Sequence, residues 1–341
     1  MILAIAFPKV EKVTKILKQQ NNMKNRAIST TFLSSLLSGE FKHITEIVKV
    51  DPSLDMEMRG DSVMIYYRGG RILTINDRYS APTAPKLEGM DENYSNETKF
   101  KQEIPVPDID RIDEYFAKAK RAVDNYEFYV EHKLGEKEIQ QRVVCENNYS
   151  VNADETDFFI SDVEWADNDA LGGRADIIAF HWGHMSHKKR KLTMYIIEVK
   201  QGKGAVKTNE DKDGKLSAGL YKHNLDFENF ISNEEYVNAV KADMIIVLRQ
   251  KYDLGLIVGL DELFIDKKTG AKRSDDEIEI TPKVQFVYLL ANYLKYSKEL
   301  RNELEKVKNA KFFEASMVGY GLYKDFIVDK RTLFEHHPDL A

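Results

Sequence analysis

The spacing of apolar residues changes along this chain, and each change predicts a different kind of element. Ser29-Thr30-Thr31 ahead of Phe32-Leu33-Ser34-Ser35-Leu36-Leu37 predicts a short capped helix that Gly39 stops. Strand-like runs follow over 43–50, 54–59, 62–67 and 71–76, with turn residues at Asp51-Pro52, Gly60-Asp61 and Gly69-Gly70. Short strands with tight turns predict an antiparallel meander. Over 77–107 the pattern dissolves among Pro82, Pro85, Pro105 and Pro107, as in a linker or a long surface excursion.

Helical spacing resumes with Ile112, Tyr115, Phe116, Ala119, Ala122, Val123 and Tyr126 on one face, and a second helix is expected over 136–147. Strands are then expected over 158–165, 175–180, 192–199 and 242–248, with a helix over 217–231 between the last two. Helix, three strands, helix, strand predicts an α/β layout around a central mixed sheet. Beyond it come an apolar run over 284–292, a charged amphipathic helix over 296–307, and a segment over 311–317 leading to the loop Gly319-Tyr320-Gly321-Leu322.

Composition narrows the class without choosing a function. In 341 residues, 43% are hydrophobic, with 17 Tyr and 17 Phe, so a large aromatic core is available. A net charge of -6 argues against coating nucleic acid through bulk positive charge, but leaves room for a local basic groove. Cys145 is the single cysteine, so neither an intramolecular disulfide nor a Cys-rich zinc site is available, and a reducing compartment is expected. The apolar start from Met1 to Pro8 falls short of the roughly 20 residues that span a bilayer, and it lacks the basic start of a secretory signal. The expectation is a soluble, cytoplasmic protein without a membrane partner.

Candidate chemistry sits in two apolar strands. Arg174-Ala175-Asp176-Ile177-Ile178-Ala179-Phe180 and Met194-Tyr195-Ile196-Ile197-Glu198-Val199-Lys200 each carry an acid in an otherwise greasy run. A buried carboxylate needs a partner, because desolvating its charge is costly, and a divalent cation is one such partner. Glu198 and Lys200 lie two apart and share a face of their strand, where Asp176 joins them if the strands pair. Two carboxylates, with the backbone carbonyl of Val199 as a third oxygen, make a ligand set for Mg²⁺ or Mn²⁺. Such a site suits phosphodiester hydrolysis, with Lys200 orienting water or stabilising charge on the phosphate.

Asp176 followed at an interval by Glu198-Val199-Lys200 resembles the PD-(D/E)XK phosphodiesterase superfamily, to which restriction endonucleases and RecB-type nucleases belong. The resemblance covers roughly 136–250, about a third of the chain, and Ala175 stands where the family's motif has Pro. It implies a restriction-endonuclease-like core, a central mixed sheet flanked by helices, within 108–341; the local pattern sets an N-terminal α+β unit with its meander and linker over 1–107 ahead of it. The resemblance also implies that Asp176 and Glu198 bind Mg²⁺ and that Lys200 is catalytic. The family often adds an acid from its first helix. Helical geometry favours Glu136, which shares a face with Ile139, Gln140 and Val143, whereas a Glu-x-x-Gln pattern favours Glu138 with Gln141; Glu146 falls between. That choice stays open.

Around this set, Asp162 and Glu164 are expected on one face of the first core strand, with Glu164 near the metal site or in solvent. Lys203 and Lys207 in a flexible basic loop, and Lys222 and His223 on the following helix, are candidates for contact with nucleic acid. The run His187-Lys188-Lys189-Arg190-Lys191 reads as a solvated hairpin tip, and Tyr66-Tyr67-Arg68-Gly69-Gly70 as a hairpin with structural tyrosines. His181, His184, His187 and His223 make a poor zinc site, and Gly319-x-Gly321 reads as a turn. The expected function is metal-dependent hydrolysis of nucleic acid, with DNA favoured over RNA and a homodimer as a further expectation. The alternative is a catalytically silent nuclease-like fold that binds nucleic acid or protein. An ordinary salt-bridged sheet, Glu198 with Lys200 and Asp176 with Arg174, is the reading against which both are set.

Overall fold

The computed structural model describes residues 25–91, 105–127, 135–151, 153–167, 173–182, 191–202, 204–292, 297–315 and 319–336. The apolar start, the basic run over 187–190, and with it His184 and His187, lie outside those residues. The architecture is mixed α/β: a six-stranded mixed sheet flanked by helices, beside a four-stranded antiparallel sheet built by the N-terminal part.

The N-terminal part begins with α1 (Thr30–Leu37), whose N-cap Ser29 accepts the Phe32 N–H, and continues with α2 (Lys42–Val50). The strand expected over 43–50 is therefore a helix. Its β-branched residues suit a strand locally, but Ile44 and Val48 are four apart and both buried, while Lys49 turns outward. The meander is as expected: β1 (Leu54–Met58), β2 (Ser62–Tyr67) and β3 (Gly70–Asn76) pair antiparallel, with a short β4 (Leu87–Glu88) on the far edge. Helix α3 (Ile112–Tyr126) packs its Tyr115 against this sheet, donating a hydrogen bond to the Ile72 carbonyl.

The central sheet follows α4 (Glu136–Asn148). Strands β5 (Phe158–Asp167), β6 (Gly173–Trp182) and β7 (Leu192–Gln201) form an antiparallel meander. After the small ribbon of β8 (Asn209–Glu210) and β9 (Leu216–Ser217) come α5 (Gly219–Ile231), α6 (Glu234–Asp253) and α7 (Asp261–Phe264). Strand β10 (Gln285–Ala291) then lies parallel to β7. Helix α8 (Lys298–Lys306) leads to β11 (Lys311–Glu314), parallel to β10, and β12 (Val328–Asp329) closes that edge ahead of α9 (Lys330–His336). The strand expected over 242–248 is a second correction, because that run is the middle of α6. Tyr236, Val240, Met244 and Leu248 recur every fourth residue and are buried, Ile246 is exposed, and Asn233 caps the helix start by accepting the Tyr236 N–H. The fourth core strand is instead β10, the apolar run over 284–292.

Each face of the central sheet has its own core. On one, Ile139, Val143 and Val144 of α4 meet Ile160, Ile177, Ala179, Tyr195, Ile197 and Val199. On the other, Ile178, Phe180, Met194 and Ile196 meet α6 and continue without a break into Phe32, Leu36, Ile44, Met56, Ile65 and Tyr115 of the N-terminal part. Strand β7 is covered on both faces, which explains its nearly continuous apolar run.

Buried charge crosses the same seam. Arg59, after β1, donates from Nη1 to Asp162 Oδ1 of β5 at 2.6 Å and from Nη2 to the Val163 carbonyl at 3.0 Å. Arg26 Nε lies 3.2 Å from Asp162 Oδ2, and its Nη2 donates to the Glu164 carbonyl at 3.1 Å. Lys251 of α6 donates to Glu57 of β1 at 2.5 Å, with both side chains essentially inaccessible to solvent. Removing one member of such a set leaves the others as uncompensated buried charge. Asp162→Asn keeps the shape and removes the charge between two arginines. We expect it to cost about 3–5 kcal/mol in urea unfolding; a loss within the scatter of surface substitutions would show that the network contributes no net stability.

Candidate active site

The central sheet splits where its acids sit. Pairing of β6 with β7 runs from Trp182↔Leu192 to Ile177↔Ile197, and the same register carried one step further sets Asp176 opposite Glu198. There β6 stays with β5, which pairs Ala175 with Trp165, while β7 stays with β10, which pairs Glu198 with Tyr288 and Lys200 with Leu290. A fork between paired strands leaves backbone groups without ladder partners, and side chains must satisfy them. Asp176 Oδ2 accepts the Val199 N–H at 2.7 Å. The fork thus places two acids and a lysine together at the end of an apolar sheet, with Asp176 7%, Glu198 4% and Lys200 5% exposed.

These groups share one charge system. Lys200 Nζ donates to Glu198 Oε1 at 2.5 Å, and His223 Nε2 of α5 lies 3.1 Å from the same oxygen. Burial lifts Asp176 well above the usual carboxylate range, and neighbouring Glu198 pushes the same way. Burial also raises Glu198 to about 7, against the pull of Lys200. The two carboxyls thus share a buried setting that holds both above the usual carboxylate range. Lys200 stays an ammonium, because Glu198 and Asp176 outweigh the burial that opposes its charge. Burial, with Lys200 and Lys222 nearby, pushes His223 down to about 3, so it is a neutral imidazole beside Glu198.

Asp176, Glu198 and Lys200 line a cleft of about 670 Å³ together with Glu136, Glu138, Glu164 and His223. Glu136, the first residue of α4, stands over the fork. Burial raises its carboxyl, opposed by Lys200 and reinforced by Glu164. Glu138 also reaches the cleft wall, but its two oxygens are taken by Arg142 at 2.8 Å and Arg68 at 3.2 Å. Gln141 turns away to the Gly69 N–H and the Ser53 carbonyl, so the Glu-x-x-Gln pair ties α4 to the N-terminal sheet. Glu146 accepts the Tyr320 N–H and is not among the residues that line the cleft. Glu136 shares the cleft with Lys200, whose positive charge opposes the rise of its carboxyl.

The pair expected on one face of β5 is divided. A register shift between Ile160 and Asp162, and a left-handed Glu164 at φ 53°, send Asp162 to the arginines and Glu164 to the cleft. Of the candidate nucleic-acid contacts, Lys203 lies outside the described residues and Lys207 is exposed beyond the lining. Lys222 pairs with Asp226, and His223 lines the cleft with its Nε2 3.1 Å from Glu198 Oε1. His181 is buried against Phe158 and Tyr195, at the other end of β6 from Asp176.

The cleft also has a wall that came from outside the core pattern. At the β2–β3 turn, Arg68 and Gly69 have φ of 51° and 77°, the two positive angles of a two-residue turn of type I′. A Cβ on Gly69 would lie 2.5 Å from Lys137 Cβ and 2.6 Å from the Lys137 carbonyl carbon, so the hairpin tip rests directly on the first turn of α4. The Tyr66–Gly70 segment reads from its sequence as a hairpin, but nothing local in it points to this docking.

The donor set suits a hard divalent cation: two buried carboxyls held together, and oxygen ligands throughout. Among the described residues, no group of three or more His, Cys, Asp and Glu side chains is drawn together tightly enough to hold a metal ion. Mg²⁺ is commonly bound through one or two carboxylates plus water and substrate phosphate, so Asp176 and Glu198 with the Val199 carbonyl remain a fitting set. Among the described residues no helix is long and apolar enough to cross a membrane. No family model, no curated protein and no solved structure matches the chain.

Two expectations follow. Because Glu198 titrates near 7 when folded and near 4.5 otherwise, the folded state holds a proton there that the unfolded chain has released. That contribution to stability is full below the unfolded value and is lost as pH rises through about 7. With chelator present, urea midpoints should fall between pH 5 and 8, and Glu198→Gln should flatten that slope; an unchanged slope in the variant would assign the effect elsewhere. Gly69→Ala should cost about 1–3 kcal/mol in thermal unfolding through strain and the clash with α4. An unperturbed melt would mean that the hairpin tip yields freely.

Proposed function

We propose that this chain is a Mg²⁺-dependent nuclease of the PD-(D/E)XK type, with a restriction-endonuclease-like core formed by α4, β5–β7, α5 and β10. The observation that carries the reading is the fork at Asp176 and Glu198. Two buried carboxyls and a charged lysine face one cleft there, at a cost that nothing in the packing of an apolar sheet requires. Strand order supports it: after the antiparallel β5–β6–β7, β10 joins in parallel and backs Glu198 and Lys200. The Glu198–Lys200 ion pair alone would suit a plain structural sheet. It does not account for Asp176, Glu136, Glu164 and His223 facing the same cavity.

In this reading Asp176 and Glu198 would hold the cation, with the Val199 carbonyl as a third oxygen, and Glu136 and Glu164 stand with them in the cleft lining. When bound, the cation supplies charge neutralisation at the scissile phosphate. Lys200, held as an ammonium by Glu198, orients the attacking water by hydrogen bonding and stabilises the extra charge on phosphorus-bound oxygen in the transition state. His223, neutral and 3.1 Å from Glu198 Oε1, fixes that carboxylate's orientation. Burial of Asp176, Glu198 and Lys200 keeps bulk water from screening these charges.

The test is cleavage of labelled single- and double-stranded DNA and RNA with Mg²⁺ or Mn²⁺, beside calorimetric titration of Mn²⁺. Asp176→Asn and Lys200→Met should each lower cleavage by about 100-fold or more while circular dichroism stays native. Asp176→Asn should also lose Mn²⁺ binding, and Lys200→Met should keep it. Variants that cut as well as the parent would refute the assignment. A parent that binds nucleic acid but cuts none of these substrates with either ion would instead be a silent binding module.

A further inference from the structure

The N-terminal hairpin brings a cation to the cleft in a way that its turn geometry does not explain. Arg68 occupies the first central position of the type I′ turn at φ 51°, a position that favours Asn, Asp or Gly. A long side chain is strained there, and such strain persists where the surroundings over-determine it, often at functional sites. The turn could be made more easily by another residue, so the side chain itself calls for an explanation.

That side chain is held rather than loose. Its Nη1 donates to Asp124 Oδ1 at 3.1 Å, and its Nη2 donates to Glu138 Oε2 at 3.2 Å. Tyr67 and Arg142 in turn hold those two acids. A guanidinium has five N–H donors, so these two bonds leave others to a ligand, and the side chain keeps 33% of its surface exposed. Arg68 lines the same cavity as Asp176, Glu198 and Lys200, with Gly69 anchoring the tip to Gln141 at 2.7 Å.

Charge supplies the second line of argument. The cavity wall carries Glu127, Glu136, Glu138, Glu164, Asp176 and Glu198, a setting that repels a polyanion. Three lysine or arginine cations share that wall with them. Lys200 is committed to Glu198, and Lys137 is largely exposed, 3.8 Å from Glu164. Arg68 is the one fixed in direction by two acids outside the catalytic group, and planar guanidinium geometry suits phosphate oxygens.

We propose that Arg68 is a substrate-binding residue, donating to a phosphodiester oxygen of a nucleotide next to the scissile one, so that the N-terminal hairpin forms one side of the substrate track. The proposal rests on the nuclease reading and adds to it a contact from outside the core that carries the acids.

The experiment uses whichever labelled oligonucleotide the parent cleaves, with Arg68→Asn and Arg68→Lys in the full chain. Asparagine suits the turn, so the hairpin is kept, as a thermal melt would check. In Arg68→Asn, KM should rise about tenfold with kcat within about twofold. The log–log dependence of binding on salt should become shallower by about one. Arg68→Lys should restore the salt slope and only part of the KM. Unchanged KM and slope in Arg68→Asn would overturn the proposal. So would a loss confined to kcat, which would mark Arg68 as a structural tie that positions α4 and Glu136. A parent that neither cuts nor binds nucleic acid would remove the nuclease reading and this proposal together, whereas a cutting parent with an indifferent Arg68→Asn removes this proposal alone.

Discussion

A single buried carboxylate, Asp162, is the pin on which the two sheets turn. It sits inside β5 with no solvent access and faces two arginines, Arg59 and Arg26, that arrive from the N-terminal part. An acid at that depth is tolerable only because both cations reach it, and the cations are tolerable only because it is there. The same arginines take the carbonyls of Val163 and Glu164. They therefore hold the irregular backbone at the end of β5, where the chain leaves regular pleating and Glu164 enters the cleft. Electrostatics at the seam and geometry at the cleft have one cause.

The cleft follows from this seam and from the fork in the sheet. The fork brings Asp176, Glu198 and Lys200 together, and the seam sets the β2–β3 hairpin so that its tip presses on the first turn of α4. Glu136 begins that turn. Its position thus depends on contacts made by a hairpin nearly seventy residues earlier in the chain, through Gly69 and Gln141. Helix α6 completes the arrangement, with one face on the central sheet and its end, at Gln250 and Lys251, bonded to Ile28 and Glu57.

Much of this was legible in the chain, for identifiable reasons. Strands β5, β6 and β7 announce themselves because their apolar runs are bounded and carry costly acids, and Asp176, Glu198 and Lys200 stand out on that ground. The capped α1 and the meander are set by local signals. The two misread segments, 43–50 and 242–248, are rich in Ile and Val, and their state was decided by which face found a core. Over 242–248 the period of four shows only when the window widens to Tyr236 and Val240. Arg68 and the separation of Asp162 from Glu164 were out of reach, since each depends on residues far along the chain. The one local sign was an arginine standing where a hairpin usually places Asn or Gly.

The continuity of the core has a consequence for how the chain can be divided. Helix α6 lies in the connection between α5 and β10, and the N-terminal sheet leans on it. Without the N-terminal part, Lys251 would be buried without Glu57, and a face of apolar side chains would be left bare. Cutting the chain ahead of α4 would therefore not release two independent pieces: the half that holds the acids keeps its wall only in the company of the half that precedes it.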